Sequence, residues 1–187
     1  FGVSRVAKVQ NVLTSTKLIV IVGFVVAGFA AGTGSWSHFS EPAVRTSTTA
    51  LGAQFVVSLL WVMVGYSGWN AATYVAEEIK RPERTLPAAL AVGSAVVAAL
   101  YLGLNLVFIY STPLEAMKGV LAIGSLSASN LFGPQVAGTF AALMAVSIVS
   151  TVNAMVTIGP RVYYAMANNK AFFRSAASVH PRWHTPV

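Results

Sequence analysis

Long apolar runs separated by short polar stretches are the main pattern of this chain. An α-helix rises about 1.5 Å per residue, so about 20 largely apolar residues cross the hydrocarbon core of a bilayer. Because lipid offers no hydrogen bonds to a peptide group, we expect each such run to be a helix. The lack of period-two alternation argues against a barrel of strands. The pattern predicts four spans, at about 12–31, 50–76, 88–110 and 136–164.

Composition supports an integral membrane protein. Hydrophobic residues make up 56% of the chain and charged residues 9%, whereas about a quarter of a soluble domain is charged. The start has no signal-peptide pattern, and the first residue is Phe1 rather than Met. We therefore expect part of a single transmembrane domain, residues 1–187, whose N- and C-terminal parts are missing. The chain has no cysteine, which removes disulfides and thiolate metal sites.

The basic residues fall mostly on one side of the predicted spans. Cytoplasmic loops carry the excess of Lys and Arg, so we expect both chain ends and the loop 77–87 to be cytoplasmic, in the plasma or inner membrane. The net charge of +7 is then a topology signal, and nucleic-acid binding is not expected. On the cytoplasmic side are Arg5, Lys8, Lys80, Arg81, Arg84, Arg161, Lys170, Arg174 and Arg182, and on the other are Arg45 and Lys118.

The two outer connections differ in character. Residues 33–49 are polar and rich in Ser and Thr, which is typical of a solvent-exposed loop. Residues 112–133 begin Thr-Pro and contain the stretch LEAMKGVLAIGSLSASNLF. This pattern predicts a short amphipathic helix lying at the membrane interface.

The second predicted span contains a contiguous polar and glycine-rich run in its middle. Glycines are common in membrane helices because they let helices approach closely, so a packing face is one interpretation. A packing face, however, recurs every three or four positions, whereas this run is continuous. Irregular backbone at that depth is tolerated only where it lines a cavity enclosed by protein. We therefore predict a discontinuous helix and a substrate site at Gly65, Tyr66, Ser67, Gly68, Trp69 and Asn70.

The same run carries a family resemblance. The stretch GYSGWNAATYVAEEIKRPERTLPAAL, residues 65–90, resembles the sixth helix and following loop of amino acid permeases of the amino acid, polyamine and organocation superfamily, above all its L-type branch. It departs from that branch at Arg81, where Asn is usual, and at Val64, where a gating aromatic is frequent. The matching positions are Tyr66, Gly68, Trp69, Asn70, Glu77, Glu78, Pro82 and Pro87.

Two further segments agree in order along the chain. Residues 7–28 are similar to the family's fifth helix, including its lysine, and residues 150–187 resemble its eighth helix and the loop after it. In this part Pro160 stands where the family has a small polar residue, and no role is assigned to it. The resemblance implies helices five to eight of an all-α, inverted-repeat (LeuT-like) secondary transporter. In that fold the first and sixth helices are broken and face each other, and the first lies outside this chain.

The resemblance also implies roles for the broken segment. Its backbone carbonyls would receive the α-ammonium of an amino acid. The substrate side chain would lie near Tyr66, Ser67 and Trp69. Trp61 is a candidate lid or a packing aromatic, and Val64 occupies a candidate gate position.

Lys17 is a charged residue inside the first predicted span. Its side chain could snorkel to the cytoplasmic interface. The resemblance instead places it where sodium-coupled relatives hold a cation, which implies a proton carrier or a fixed substitute for sodium. Ser150, Thr151 and Asn153 are its candidate partners, and each could equally form a helix-to-helix hydrogen bond.

The function implied is secondary active transport of amino acids by alternating access, coupled to protons or by exchange. The alternative is a transport-inactive sensor or a channel on the same fold. An enzyme is not expected, because the chain has no Asp and its Glu and His fall in loops. His180 and His184 are too few for a metal site, and no cofactor is implied. The expected partners are a small amino acid and membrane lipid, with an oligomer or ancillary subunit left open.

Overall fold

The computed structural model describes residues 3–42, 44–45 and 47–179, and long helices dominate them. The long helices are α1 (Val3–Ala31), α2 (Leu51–Gly65), α3 (Pro82–Ser111) and α6 (Pro134–Asn168), and two short helices, α4 (Leu114–Met117) and α5 (Ile123–Phe132), lie between α3 and α6. Segments of 3₁₀-helix occupy Trp36–Phe39, Trp69–Glu78 and Arg174–Ala177.

Four segments of the described chain are long and apolar enough to cross a membrane, which agrees in number with the four predicted spans and confirms the all-α class. They are Ala7–Ala31, Leu51–Tyr74, Pro82–Ser111 and Pro134–Asn168.

The loop expected at 77–87 is shorter than predicted, because α3 already begins at Pro82. Proline is favoured in the first helical turn, since its φ is preset and the N–H that it lacks would have no partner there. Pro87 therefore lies inside α3 and does not end the loop. It lacks the N–H that would bond to the carbonyl four residues earlier, and its ring crowds that carbonyl.

Contacts between helices fix their directions. Gln10 of α1 bonds to Asn153 of α6, and the Phe24 ring packs against that of Phe140 with centroids 4.3 Å apart, so these helices run antiparallel. A Cβ on Gly28 of α1 would lie 3.0 Å from Val107 of α3. A Cβ on Gly103 of α3 would lie 3.4 Å from Val25 of α1. The earlier residue of α1 thus contacts the earlier residue of α3, so α1 and α3 run parallel. The starts of α1 and α3 and the end of α6 thus share one end of the molecule.

The buried core lies at the opposite end of these helices. It consists of α1, α3, α5 and α6 residues that pack around Phe24. The aromatic rings meet at tilted or edge-on angles, which is the arrangement that ring quadrupoles favour. The buried members are Phe24, Val107, Tyr110, Ala128, Leu131 and Phe140.

The segment 112–133, predicted to form a short amphipathic helix at the membrane interface, contains the helices α4 and α5. Helix α5 packs against its neighbours with Ser127, Ala128 and Leu131 buried, and its position relative to the membrane stays a prediction. The Ser127 hydroxyl lies 2.6 Å from that of Ser111, and the Asn130 amide donates to Thr112 Oγ1 over 2.9 Å. The small residues on this face allow the close approach. Their hydroxyls serve as interhelical hydrogen-bonding groups rather than as a solvent face.

The first outer connection is fastened to the end of α3. Nδ1 of His38 donates to the carbonyls of Ile109 and Tyr110, each 3.1 Å away. The amide of Ser35 also donates to Tyr110, over 2.8 Å, and Trp36 stacks on Phe29 with centroids 5.6 Å apart. Residues 33–39 are therefore a bound segment and not a free loop.

Hydrogen bonds with Val44 join the later part of that connection to an ion pair at α4. Lys118 Nζ lies 2.8 Å from Glu115 Oε1, and the Val44 amide donates to the same oxygen. Both lower the pKa of the exposed Glu115 carboxyl, Lys118 contributing more. Because these contacts favour the charged carboxylate, their contribution to stability is fully present above the ordinary glutamate pKa. The contribution is lost as the pH falls through the lowered pKa of Glu115.

Candidate functional site

The second span is broken where the sequence predicts. Helix α2 ends at Gly65, and the 3₁₀ segment begins at Trp69. Between them the amide of Tyr66 bonds to the Val62 carbonyl and that of Ser67 to the Val64 carbonyl, each over 3.1 Å. The chain thus leaves the helix through a turn, and the predicted discontinuity is confirmed.

Gly68 makes this turn possible. Its φ of 91° and ψ of −3° lie in the left-handed region, which a residue with a Cβ enters at a cost of about 1–2 kcal/mol. Its carbonyl accepts from the Ala71 amide over 3.0 Å. The 3₁₀ segment that follows is 10 residues long, whereas such runs seldom exceed about four residues. Long 3₁₀ stretches are typical of hinges and of strained sequences.

A cavity of about 430 Å³ lies between the break and α3. Ligand sites for small molecules occupy about 300–1,000 Å³ and hold few polar groups, so the volume suits a small substrate. All of the lining side chains are uncharged. The wall from the break is Gly65, Tyr66, Ser67, Gly68, Trp69 and Ala72, and the wall from α3 is Ala89, Leu90, Gly93, Ser94, Val97 and Tyr101.

Asn70 is the predicted substrate residue that this lining does not include. Its amide instead donates to the Tyr74 hydroxyl over 2.8 Å, and its carbonyl accepts from Thr73 over 2.7 Å. Both bonds lie within the 3₁₀ segment. Asn70 therefore supports the conformation of the segment beside the cavity.

The gate candidates Trp61 and Val64 lie outside the cavity, on the exposed surface of α2. Every residue of α2 is exposed within the described chain. An apolar helix of this kind is covered by lipid or by further protein. The roles of Trp61 and Val64 stay predictions.

Tyr101 is a site residue that the sequence analysis missed. Its hydroxyl donates to the Gly65 carbonyl over 2.8 Å. Its ring meets that of Tyr66 edge-on, with centroids 4.9 Å apart. The sequence signal was only a phenol inside an apolar span. The pairing joins residues that are 36 positions apart, which no helical period indicates.

The second predicted group forms a polar cluster between α1 and α6. Lys17 Nζ donates to Thr151 Oγ1 over 3.2 Å. Ser150 is 1% exposed and accepts from Gln10 Nε2 over 3.2 Å. Asn153 Nδ2 donates to Gln10 Oε1 over 2.8 Å. The structure therefore places Lys17 and its three predicted partners at one helix contact.

Gln10 is the residue of this cluster that the sequence analysis missed. Its side-chain amide bridges Ser150 and Asn153 and also lies 3.3 Å from Thr14 Oγ1. Gln10, Thr14 and Lys17 are spaced by four and three residues, so they share one face of α1. From the sequence, this spacing alone could have identified Gln10, because it indicates a polar stripe on the face of α1 that packs against α6.

The two groups are distinct within the described part of the chain. No hydrogen bond or ring contact there joins the Lys17 cluster to the break at 65–70. In the same residues no three His, Cys, Asp or Glu side chains gather as a metal site would need. His180, Arg182 and His184 lie outside the described residues.

Pro160 lies inside α6 without ending it. Together with Gly159, Tyr163, Phe172 and Ala176 it lines a cavity of about 460 Å³. The next residue, Arg161, donates through Nη1 to the Thr157 carbonyl. Pro160 has no backbone N–H, so this turn of α6 lacks one helical hydrogen bond. The Arg161 bond lies in the same turn.

Comparison with known proteins identifies the family. The model of the amino acid permease family matches residues 1–187. The serine/threonine exchanger SteT of Bacillus subtilis (strain 168) is 29% identical over 184 residues, which cover 95% of this chain and 40% of the relative. The b(0,+)-type amino acid transporter 1 of Mus musculus is 32% identical over 114 residues, covering 59% of this chain and 23% of the relative.

The cystine/glutamate transporter of Homo sapiens is 25% identical over 190 residues, which cover 100% of this chain and 37% of the relative. The chain thus spans 40% or less of the length of these relatives. All three are named as transporters or exchangers and none as an enzyme. With the four membrane-spanning helices, the match shows a multi-pass integral membrane protein. The chain belongs to the amino acid permease family.

Proposed function

We propose that the full-length protein is a secondary transporter that carries amino acids across the membrane by alternating access. The observation that carries the proposal is the cavity at the break in the second span, lined by Gly65, Tyr66, Ser67, Gly68 and Trp69. Broken helices at membrane depth are how many secondary transporters build substrate sites. The family match supports the same class of function.

The chemistry of the break suits an α-ammonium group. Helix α2 ends there, and the end of a helix carries a partial negative charge on its last carbonyls. Tyr66 and Ser67 of the broken segment line the cavity, and we propose that their backbone carbonyls bind the α-ammonium. The two side chains supply an aromatic face and a hydroxyl for the side chain of the substrate. We propose that the α-carboxylate is bound by the part of the transporter outside this chain.

We propose that the Lys17 cluster couples transport to a driving force. An ammonium at the contact of α1 and α6 places a positive charge where the resemblance implies a cation. The charge is fixed if Lys17 stays protonated and mobile if it exchanges its proton. The first case fits amino acid exchange, and the second fits proton-coupled uptake.

We further propose that the end of the molecule with the starts of α1 and α3 faces the cytoplasm of the cell. Lys8, Lys80, Arg81 and Arg84 lie there, together with Lys170 beyond α6. Arg45 and Lys118 lie towards the opposite end. This distribution follows the positive-inside rule. The membrane we propose is the plasma or inner membrane.

The test is uptake of labelled amino acids into proteoliposomes that contain the full-length protein. Saturable uptake is expected. Uptake that needs unlabelled amino acid inside the vesicles indicates exchange, whereas uptake driven by a proton gradient without it indicates coupling to protons. Binding without any flux would contradict the proposal and favour a sensor on the same fold.

Filling the cavity from the α3 wall should discriminate between substrates. A Cβ on Gly93 meets no atom within 4 Å, so Gly93→Leu adds its side chain to the open space. With a large substrate bound, the added side chain would overfill the site, which costs about 1–3 kcal/mol. We expect uptake of amino acids with large side chains to fall by at least about fivefold, and uptake of glycine or alanine to fall less.

The matched control is Gly138→Leu on α6, where a Cβ also meets no atom within 4 Å. Uptake of each labelled amino acid is measured at equal amounts of protein in the vesicles. An equal loss for small and large substrates in Gly93→Leu would show that this cavity does not hold the substrate side chain.

A further inference from the structure

Tyr101 connects α3 to the broken segment in two ways. Its hydroxyl donates to the Gly65 carbonyl over 2.8 Å. Its ring packs edge-on against that of Tyr66. The side-chain amide of Asn105 donates to the Tyr101 backbone carbonyl one turn earlier in α3, over 2.7 Å. The hydroxyl bond and the ring contact together direct the phenol towards the end of α2.

The bonded carbonyl belongs to the last turn of α2. Carbonyls of a last turn have no partner within a regular helix. Here the Val62 and Val64 carbonyls accept from the amides of Tyr66 and Ser67, and the Gly65 carbonyl accepts from Tyr101. The peptide that joins Gly65 to Tyr66 is rigid and is held on both sides, its N–H by the Val62 carbonyl and its C=O by the Tyr101 hydroxyl.

The same two rings separate two spaces. Gly65, Tyr66 and Tyr101 line the cavity of about 430 Å³ and also a second one of about 280 Å³. The second cavity is completed by Val62, Leu102 and Asn105. If the Gly65 peptide rotated, the carbonyls of the break would no longer keep their directions relative to the first cavity.

We infer that Tyr101 is a positioning residue of the substrate site. Its hydroxyl holds the Gly65 carbonyl on the α3 side, and this orients the carbonyls of Tyr66 and Ser67 for the α-ammonium of the substrate. The inference rests on the proposed function, because it concerns the same cavity. It adds a residue of α3 to the site. It also gives the carbonyls different roles, because that of Gly65 is held by Tyr101 whereas those of Tyr66 and Ser67 bind the substrate.

The test uses Tyr101→Phe in the full-length protein, which removes the hydroxyl and keeps the ring against Tyr66. Equilibrium binding is measured by competition with a labelled amino acid. The competitors are the unlabelled amino acid and its des-amino analogue, a carboxylic acid that lacks the ammonium. A hydrogen bond contributes about 0.5–1.5 kcal/mol net, so the dissociation constant of the amino acid should rise about two- to tenfold. That of the des-amino analogue should not change.

The matched control is Tyr110→Phe on the same helix, whose ring packs against Phe29 and Trp36 away from the break. We expect it to leave both dissociation constants unchanged. Equal weakening of both competitors in Tyr101→Phe would show a structural role only, and no weakening would remove the role altogether. Either result overturns the inference. Binding is independent of flux, so failure of wild-type uptake would contradict the proposed transport without deciding this point.

Discussion

Replacing Lys17 with alanine in the full-length protein is expected to abolish transport or to uncouple it from its driving force. The ammonium donates to Thr151 Oγ1 at a contact between two membrane-spanning helices. Hydrogen bonds to charged groups contribute about 1.5–3 kcal/mol, so we expect the rate of coupled uptake to fall by at least about tenfold. The measurement is uptake into proteoliposomes with an imposed proton gradient or an internal amino acid pool.

Two variants sharpen this experiment. Lys8→Ala removes an exposed lysine near the start of the same helix and should leave uptake unchanged. Thr151→Val removes the partner hydroxyl while keeping the shape of the side chain, and should reduce uptake less than Lys17→Ala. Normal kinetics in Lys17→Ala would instead support a lysine that snorkels to the interface and takes no part in coupling.

Replacing Gly68 with alanine is expected to weaken substrate binding about five- to thirtyfold. The backbone of Gly68 is left-handed, and an L-residue enters that region at a cost of about 1–2 kcal/mol. The added methyl itself meets no atom within 4 Å. The effect therefore reports the backbone conformation of the break and not a steric clash. The measurement is the dissociation constant of a labelled amino acid.

Gly52→Ala provides the matched control on α2, outside the break. A Cβ at Gly52 also meets no atom within 4 Å, and its φ is not in the left-handed region. Alanine is also more favourable than glycine in a helix, so binding should stay near the wild-type value. Gly68→Asn should recover part of the loss, because asparagine tolerates left-handed backbone. Equal binding by the two alanine variants would contradict a role for the turn at Gly68.

The sequence predicts the break because its signal is local. Two glycines and a hydroxyl in one continuous run inside an apolar span indicate irregular backbone, and the structure has the turn at Gly68. The partners of Lys17 can also be predicted from the sequence, because the resemblance aligns Ser150, Thr151 and Asn153 with a known helix contact. Local pattern and family alignment together therefore identify most of both groups.

The missed residues depend on packing between helices. Gln10 and Tyr101 bond to residues 140 and 36 positions away, and hydrophobic periodicity carries no information on such pairs. The burial of Ser127 against Ser111 depends on packing between helices in the same way.

The contact between α1 and α6 differs in kind from one end to the other. Near Phe24 the helices are joined by close packing of the Phe24 and Phe140 rings, and Phe24 also meets Phe132 of α5 edge-on, with centroids 6.2 Å apart. Near Gln10 they are joined by side-chain hydrogen bonds, and such bonds between membrane helices average about 0.6 kcal/mol each. A hydrogen bond can be exchanged for one to water, whereas separated rings lose their contacts outright. A tilt that separates these two helices is therefore easiest at the Gln10 end, with the rings around Phe24 as its pivot.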